Sequence, residues 1–190
     1  MRYIVERGTE TMTEFEEKQL IHRALDGDDL AFNELIEAYY LTVERFARQI
    51  GVSENDLPDV TQEVFLRVYR FLNKYSRGKF STWLYSITLN VARDYFKKAK
   101  REKRKVHKTI QAGVDVAYEN SLDLSADLKI LHEAIQQLDE LYRIPIVLFY
   151  FHDKSILEIS SILKMKESTV KTRLRRGRSY LKTEMIKGGY

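Results

Sequence analysis

Between Asp28 and Ile50 the apolar residues fall at Phe32, Leu35, Ile36, Tyr39, Val43, Phe46, Ala47 and Ile50. Steps of three and four, with single steps between, trace one side of an α-helix, because residues three or four apart lie on the same face. A half-buried strand would alternate apolar and polar residues, and this segment does not. A stripe of this length commits the chain to packing helix against helix. Punctuation is sparse: 190 residues include 8 Gly and 2 Pro. The expected fold is all-α, with two small helical domains joined by a flexible linker, the C-terminal one a helix-turn-helix.

Helical patterning begins after Met12, and residues 1–11 read as a tail or as sequence ahead of a start at Met12. The Asp28–Ile50 stripe stops at Gly51, a helix breaker. A second stripe, Val60, Val64, Phe65, Val68, Phe71 and Leu72, starts near Leu57. Asp56 is its expected cap, with Pro58 in the first turn, where a missing N–H costs little. The segment "NKYSRGK" (73–79) reads as a loop broken by Gly78. Ser81 is the expected N-cap of a third helix carrying Trp83, Leu84, Ile87, Val91 and Tyr95. The pattern fades between Lys105 and Ser125 and returns at Leu128, Leu131, Ile135 and Leu138. The expected division is therefore 13–104, a linker over 105–126, and 127–186. In "YRIPIVLFYFHD", Pro145 is expected early in a helix.

Ser155 followed by Glu158 has the spacing of a capping box. Ile159, Ile162 and Leu163 form one apolar side, "KMKE" reads as a turn, and Ser168 is the expected cap of the next helix. Burying Val170, Leu174 and Leu181 leaves Thr169, Lys171, Thr172, Arg173, Arg175 and Arg176 facing outward. Two helices joined by a tight turn, the second one basic, have the form of a helix-turn-helix reading a DNA major groove. Arg and Lys suit guanine edges and phosphates, and Thr suits either. An ordinary helical hairpin with a solvated basic face is the other reading.

The net charge of +4 conceals two clusters. Lys97–Lys108 holds eight Lys/Arg against Glu102, and Lys164–Lys182 holds eight against Glu167. Two basic patches around an acidic middle point to two contacts with a polyanion. The first patch follows Tyr75, Phe80, Trp83, Tyr85, Tyr95 and Phe96. Rings interleaved with cations suit unstacked bases and their backbone, although Trp83 and Phe96 read equally well as core. Asn90 and Arg93 add polar groups one turn apart.

With 0 Cys, disulfides and thiolate metal sites are excluded. His22, His107, His132 and His152 are scattered without metal-ligand spacing, and no metal or cofactor is expected. Asp56, Asp59 and Glu63 read as solvated helix residues rather than ligands. No phosphate-binding loop or nucleophile motif occurs, so no enzymatic activity is expected. No run reaches the length of a membrane span, and no apolar leader is present, so a cytoplasmic protein without membrane insertion is expected.

The stretches "DLPDVTQEVFLRVYRFLNKY", "FSTWLYSITLNVARDYFKK" and "IPIVLFYFHDKSILEISSILKMKESTVKTRLRRGRSYLK" occur in that order. Their combination resembles a bacterial RNA polymerase sigma factor of the extracytoplasmic function (ECF, group 4) class, from about Phe15 to Lys182. The resemblance implies a protein that binds polymerase core, melts promoters and reads −10 and −35 elements. It implies that Asp59, Gln62, Glu63 and Arg67 contact the β′ clamp helices. The loop from Tyr75 to Phe80, with Trp83, Tyr85, Asn90 and Arg93, would form the −10 pocket for a flipped base. Lys97, Lys98 and Arg101 would hold phosphates near it. Lys171, Thr172, Arg175 and Arg176, with Thr169, would face the −35 groove, and Arg173 and Arg178 would lie near its backbone. The linker would run toward the RNA-exit path.

The implied partners are core (β′ clamp helices and β flap), promoter DNA, and an anti-sigma factor of the kind often membrane-anchored. Pro58 stands where the class often has an acid, and Glu167–Ser168 where Gly is common. The chain has the minimal two-domain form, with no further C-terminal domain expected. A dimeric helix-turn-helix repressor or activator acting without polymerase is the alternative; the aromatic, basic third helix fits it poorly.

Overall fold

The structure, a computed structural model, describes residues 12–75, 78–107 and 126–187. Among the described residues eight α-helices run in chain order: α1 (Glu14–Leu25), α2 (Asp29–Gln49), α3 (Leu57–Phe71), α4 (Phe80–His107), α5 (Ala126–Gln137), α6 (Glu140–Tyr150), α7 (Ile156–Leu163) and α8 (Glu167–Lys187). A short 3-10 turn, Leu72–Lys74, continues α3. No strand occurs among the described residues.

Helices α1–α4 form the N-terminal domain. Thr13 and Glu16 cap α1 reciprocally, and Asp28 caps α2 by accepting from the Leu30 and Ala31 amides. The stripe read from the sequence is the buried face of α2: Phe32, Leu35, Val43, Phe46 and Ala47 are buried, and Ile50 follows at its end. Gly51 turns the chain at φ +108°, a conformation that L side chains rarely adopt. Val60, Val64, Phe65 and Val68 of α3 close the same core with Leu84, Leu89, Val91 and Ala92 of α4.

Helices α5–α8 form the C-terminal domain around Ile144, Ile146, Val147, Leu148, Ile159, Ile162, Val170 and Leu174. Leu128 precedes the described side chains of α5, whereas Ile135 and Leu138 are buried. The Ser155–Glu158 capping box is formed in full. Lys164 adopts a left-handed conformation at the end of α7, which makes the turn tight.

Several local expectations are corrected. Asp56 does not cap α3; its carboxylate accepts from the Ser53 hydroxyl and, at 2.6 Å, from Tyr95 of α4. A tertiary partner has captured the side chain. Ser81 lies inside α4, which begins at Phe80, and Ser168 lies inside α8, which begins at Glu167. Pro145 is not early: it is the sixth residue of an eleven-residue helix and is buried. Helix α4 continues to His107, into the segment read as linker; residues 108–125 lie outside those described.

The domains are docked. α7 packs against α4, and buried residues of both domains form one continuous apolar cluster.

Candidate nucleic-acid interfaces

The first candidate interface is the outer face of α8. Val170 and Leu174 are buried and Leu181 is partly buried, so the helical period sends Lys171, Thr172, Arg175, Arg176 and Arg178 into solvent. Thr169 and Arg173 lie at the edges, partly buried. Gly177 is what lets α8 come close to α6. A Cβ built there would stand 3.0 Å from Ile146 Cγ1 and 3.3 Å from its Cδ1. The sequence reading gave Gly177 no role, since a glycine inside a helix looks only unfavourable. Ser160 donates to the Met165 carbonyl at 2.6 Å and fixes the turn before α8. The result is a basic helix presented on a second helix, with a short turn between, as groove reading requires.

The second candidate interface surrounds the start of α4. Tyr75, Phe80 and Trp83 form one aromatic cluster, with centroids 5.5 Å apart for Tyr75–Phe80 and Tyr75–Trp83 and 5.6 Å for Phe80–Trp83. Tyr75 donates to the Gly78 carbonyl at 2.7 Å, closing the loop. Phe80 is 1% exposed and also packs on Tyr39, so its ring is core and offers no face to a base here. Trp83 and Phe96 are partly buried against the core. Asn90, Lys97, Lys98 and Arg101 are exposed along α4.

Tyr85 departs most from its expected exposure. It is 4% exposed because the C-terminal domain sits on it. His152, just after α6, lies edge-on to both Phe46 and Tyr85. Its Nδ1 is 2.8 Å from the Tyr85 hydroxyl, and its Nε2 is 2.7 Å from Gln49 Oε1. A neutral ring protonated on Nε2 satisfies both: Tyr85 donates to Nδ1, and Nε2–H donates to Gln49. Burial, with Lys154 and Arg45 nearby, pushes the His152 pKa down to about 3. Burial also raises the Tyr85 phenol.

Neighbouring contacts join the same two domains. The Lys154 ammonium lies 4.9 Å from the Tyr85 ring centroid and 3.4 Å from the Ser81 hydroxyl. Lys79 pairs with Glu158 at 3.1 Å. Burial alone would raise the Glu158 carboxyl, but hydrogen bonds from Ser155, with Lys79 and Lys154 nearby, outweigh it and bring it to about 2. Arg93 is 2.8 Å from Glu140. Gln136 donates to the Gln49 carbonyl at 3.0 Å. Sequence reasoning missed Gln49, Gln136, Glu140, His152 and Lys154. The only local hint was a histidine directly after an apolar run in "VLFYFH".

On α3, Asp59 and Gln62 are exposed, and Glu63 and Arg67 are partly buried. Arg67 bridges Glu63 at 2.8 Å and Asp94 of α4 at 3.0 Å. This face is thus a pre-ordered polar surface beside exposed Leu66 and Tyr69. Among the described residues no group of three His, Cys, Asp or Glu is placed to hold a metal, and no helix is long and apolar enough to cross a membrane.

A basic helix-turn-helix docked through α7 on an aromatic, basic helix has the form of a two-domain DNA-reading transcription factor. Two family models match it: Sigma-70 region 2 over residues 35–102 and Sigma-70 region 4 over 128–181. The chain is 32% identical over 171 residues to the ECF RNA polymerase sigma-E factor of Escherichia coli K12, covering 84% of this chain and 88% of that one. It is 31% identical over 184 residues to the sigma-E factor of Haemophilus influenzae, covering 89% and 95%. It is 29% identical over 181 residues to SigW of Bacillus subtilis, covering 88% and 96%. The chain belongs to the ECF RNA polymerase sigma factors, and it directs promoter-specific transcription initiation.

The fold is similar to that of CnrH in complex with the cytosolic domain of CnrY, with a TM-score of 0.68, 24% identity, and coverage of 92% of this chain and 99% of that one. It is also similar to that of the sigma factor RpoE in complex with the anti-sigma factor NepR from Bartonella quintana, with a TM-score of 0.67, 19% identity, and coverage of 82% and 96%.

Proposed function

We propose that the work of a sigma factor is divided between residues 13–104, which bind polymerase core and open and read the −10 element, and residues 127–186, which read the −35 element, with 105–126 as connector. The exposed basic face of α8, set on a buried apolar face and closely packed at Gly177, carries this reading. Lys171, Thr172, Arg175 and Arg176, with Thr169, address base edges and phosphates in the −35 groove, and Arg173 and Arg178 address its backbone. Asp59, Gln62, Glu63 and Arg67 meet the β′ clamp helices, and the C-terminal domain meets the β flap. Tyr75, Trp83, Tyr85, Asn90 and Arg93 serve the −10 pocket, and Lys97, Lys98 and Arg101 the phosphates beside it. Phe80 supports that pocket from the core.

The protein acts in the cytoplasm by binding, without catalysis of its own. Its free form is held by an anti-sigma factor. The RpoE neighbour's complex with an anti-sigma factor supports that partner. The test is transcription with purified polymerase core on a pool of random promoter fragments, beside core alone. Initiation that requires the protein, from start sites sharing two upstream elements, is the expected result. Arg176→Ala should then weaken use of the −35 element more than of the −10 element. Initiation indifferent to the protein would overturn the reading.

A further inference from the structure

We propose that the segment 152–158, between α6 and the first turn of α7, is an internal plug that closes the −10 reading site of the free protein and leaves the −35 helix open. The inference rests on the assignment of Tyr85 and its neighbours to −10 reading. Four observations carry it. The plug engages the N-terminal domain through three side chains at successive points: His152 on Tyr85 and Gln49, Lys154 on Tyr85 and Ser81, and Glu158 on Lys79. Glu140 takes Arg93 from the other side. Tyr85 and Arg93 are residues assigned above to −10 reading, Lys79 lies in the loop of that pocket, and Ser81 stands beside them in the first turn of α4. Meanwhile Lys171, Thr172, Arg175 and Arg176 remain exposed.

The docking is selective in its chemistry. Phe46 and Tyr85 supply an apolar slot that accepts the imidazole edge-on, and the slot ends in one hydroxyl and one amide oxygen spaced for the two ring nitrogens. Binding of single-stranded −10 DNA and docking of the plug compete for Tyr85. A ligand whose competent state is a minor population binds with an affinity reduced by that population. Opening the domains therefore precedes −10 reading, while α8 can meet duplex DNA without it.

The test uses the full chain. Because it has 0 Cys, Glu37→Cys on α2 and Thr183→Cys on α8, both at exposed positions, carry the only spin labels, and electron–electron distances report docking. His152→Ala removes the plug's central ring, and Glu140→Arg repels Arg93 without touching the core. The unsubstituted protein should give one narrow distance and weak binding of a single-stranded oligonucleotide bearing the −10 sequence mapped by transcription. Both variants should broaden the distance and tighten that oligonucleotide by about tenfold, the gain expected when a state populated near a tenth becomes dominant. Duplex binding through α8 should not change.

A broad distance in the unsubstituted protein overturns the proposal. So does an unchanged single-strand affinity in Glu140→Arg once its domains have separated. Should His152→Ala fail to fold, Glu140→Arg alone decides. If transcription with core requires the protein but single-strand affinity ignores the variants, only the plug fails. If no protein-dependent initiation occurs, the functional assignment beneath it fails.

Discussion

The two surfaces proposed to meet DNA both carry exposed cations, but they differ at their centres: α8 stands open, whereas Tyr85 of α4 is covered. On α8 the cations stand in solvent, because Val170, Leu174 and Gly177 anchor the helix from its other side within its own domain. Near the start of α4 the ring proposed for −10 reading, Tyr85, is covered by a histidine from the other domain. A recognition surface supported wholly by its own domain stays available whatever the domains do. One that shares its apolar floor with a neighbour becomes conditional on that neighbour's position.

The largest expected effect comes from removing the shared floor. Phe46 is fully buried and touches both Tyr85 and His152. Phe46→Ala should cost about 3–5 kcal/mol of stability, read by thermal unfolding, and should release the C-terminal domain as well. A loss confined to undocking, with the N-terminal domain as stable as before, would show that the floor belongs to the interface alone.

Next in size, Arg176→Ala should weaken use of the −35 element by about 1–3 kcal/mol, the worth of one good base contact. It should leave docking unchanged, which sharpens the separation between the surfaces.

A third effect follows from His152. Its pKa is pushed down from 6.5 to about 3 in the docked state, so the undocked state binds the extra proton. Docking is then unaffected above the free value and weakens as pH falls below it, by about 1.4 kcal/mol per pH unit, until the docked ring itself titrates near 3. Lys154 and Arg45, the cations facing the ring, reinforce this sign, and Tyr85 and Gln49 remain neutral partners. Label distances followed from neutral to mildly acidic pH should broaden, and those of His152→Ala should not respond.

The smallest effect is Tyr95→Phe. It removes the hydroxyl that reaches Asp56 at 2.6 Å and should cost about 1 kcal/mol in chemical denaturation without altering either surface.

Much of the fold could be read along the chain, because it is written in local periods. The buried face of α2 and the Ser155–Glu158 cap are both set by residues within a few positions of one another. The outward face of α8 was legible for the same reason. The docking was not. His152 lies 67 residues from Tyr85 and 103 from Gln49, and no local pattern links such positions. Asp56 illustrates the same limit on a small scale: its spacing marks a cap, but Tyr95, 39 residues on, takes its carboxylate. Phe80 and Tyr85 were read as rings for bases because aromatics beside cations fit that use, yet burial depends on what packs over them. Gly177 was silent because the sequence does not record that Ile146 approaches it.

The contrast between the surfaces is most directly tested by hydroxyl-radical footprinting of the tyrosines, with Tyr85 and exposed Tyr180 on α8 read in the same spectrum. In the free protein Tyr180 should be modified rapidly and Tyr85 protected, and addition of polymerase core should make Tyr85 reactive. Equal reactivity of Tyr85 and Tyr180 in the free protein would contradict the account.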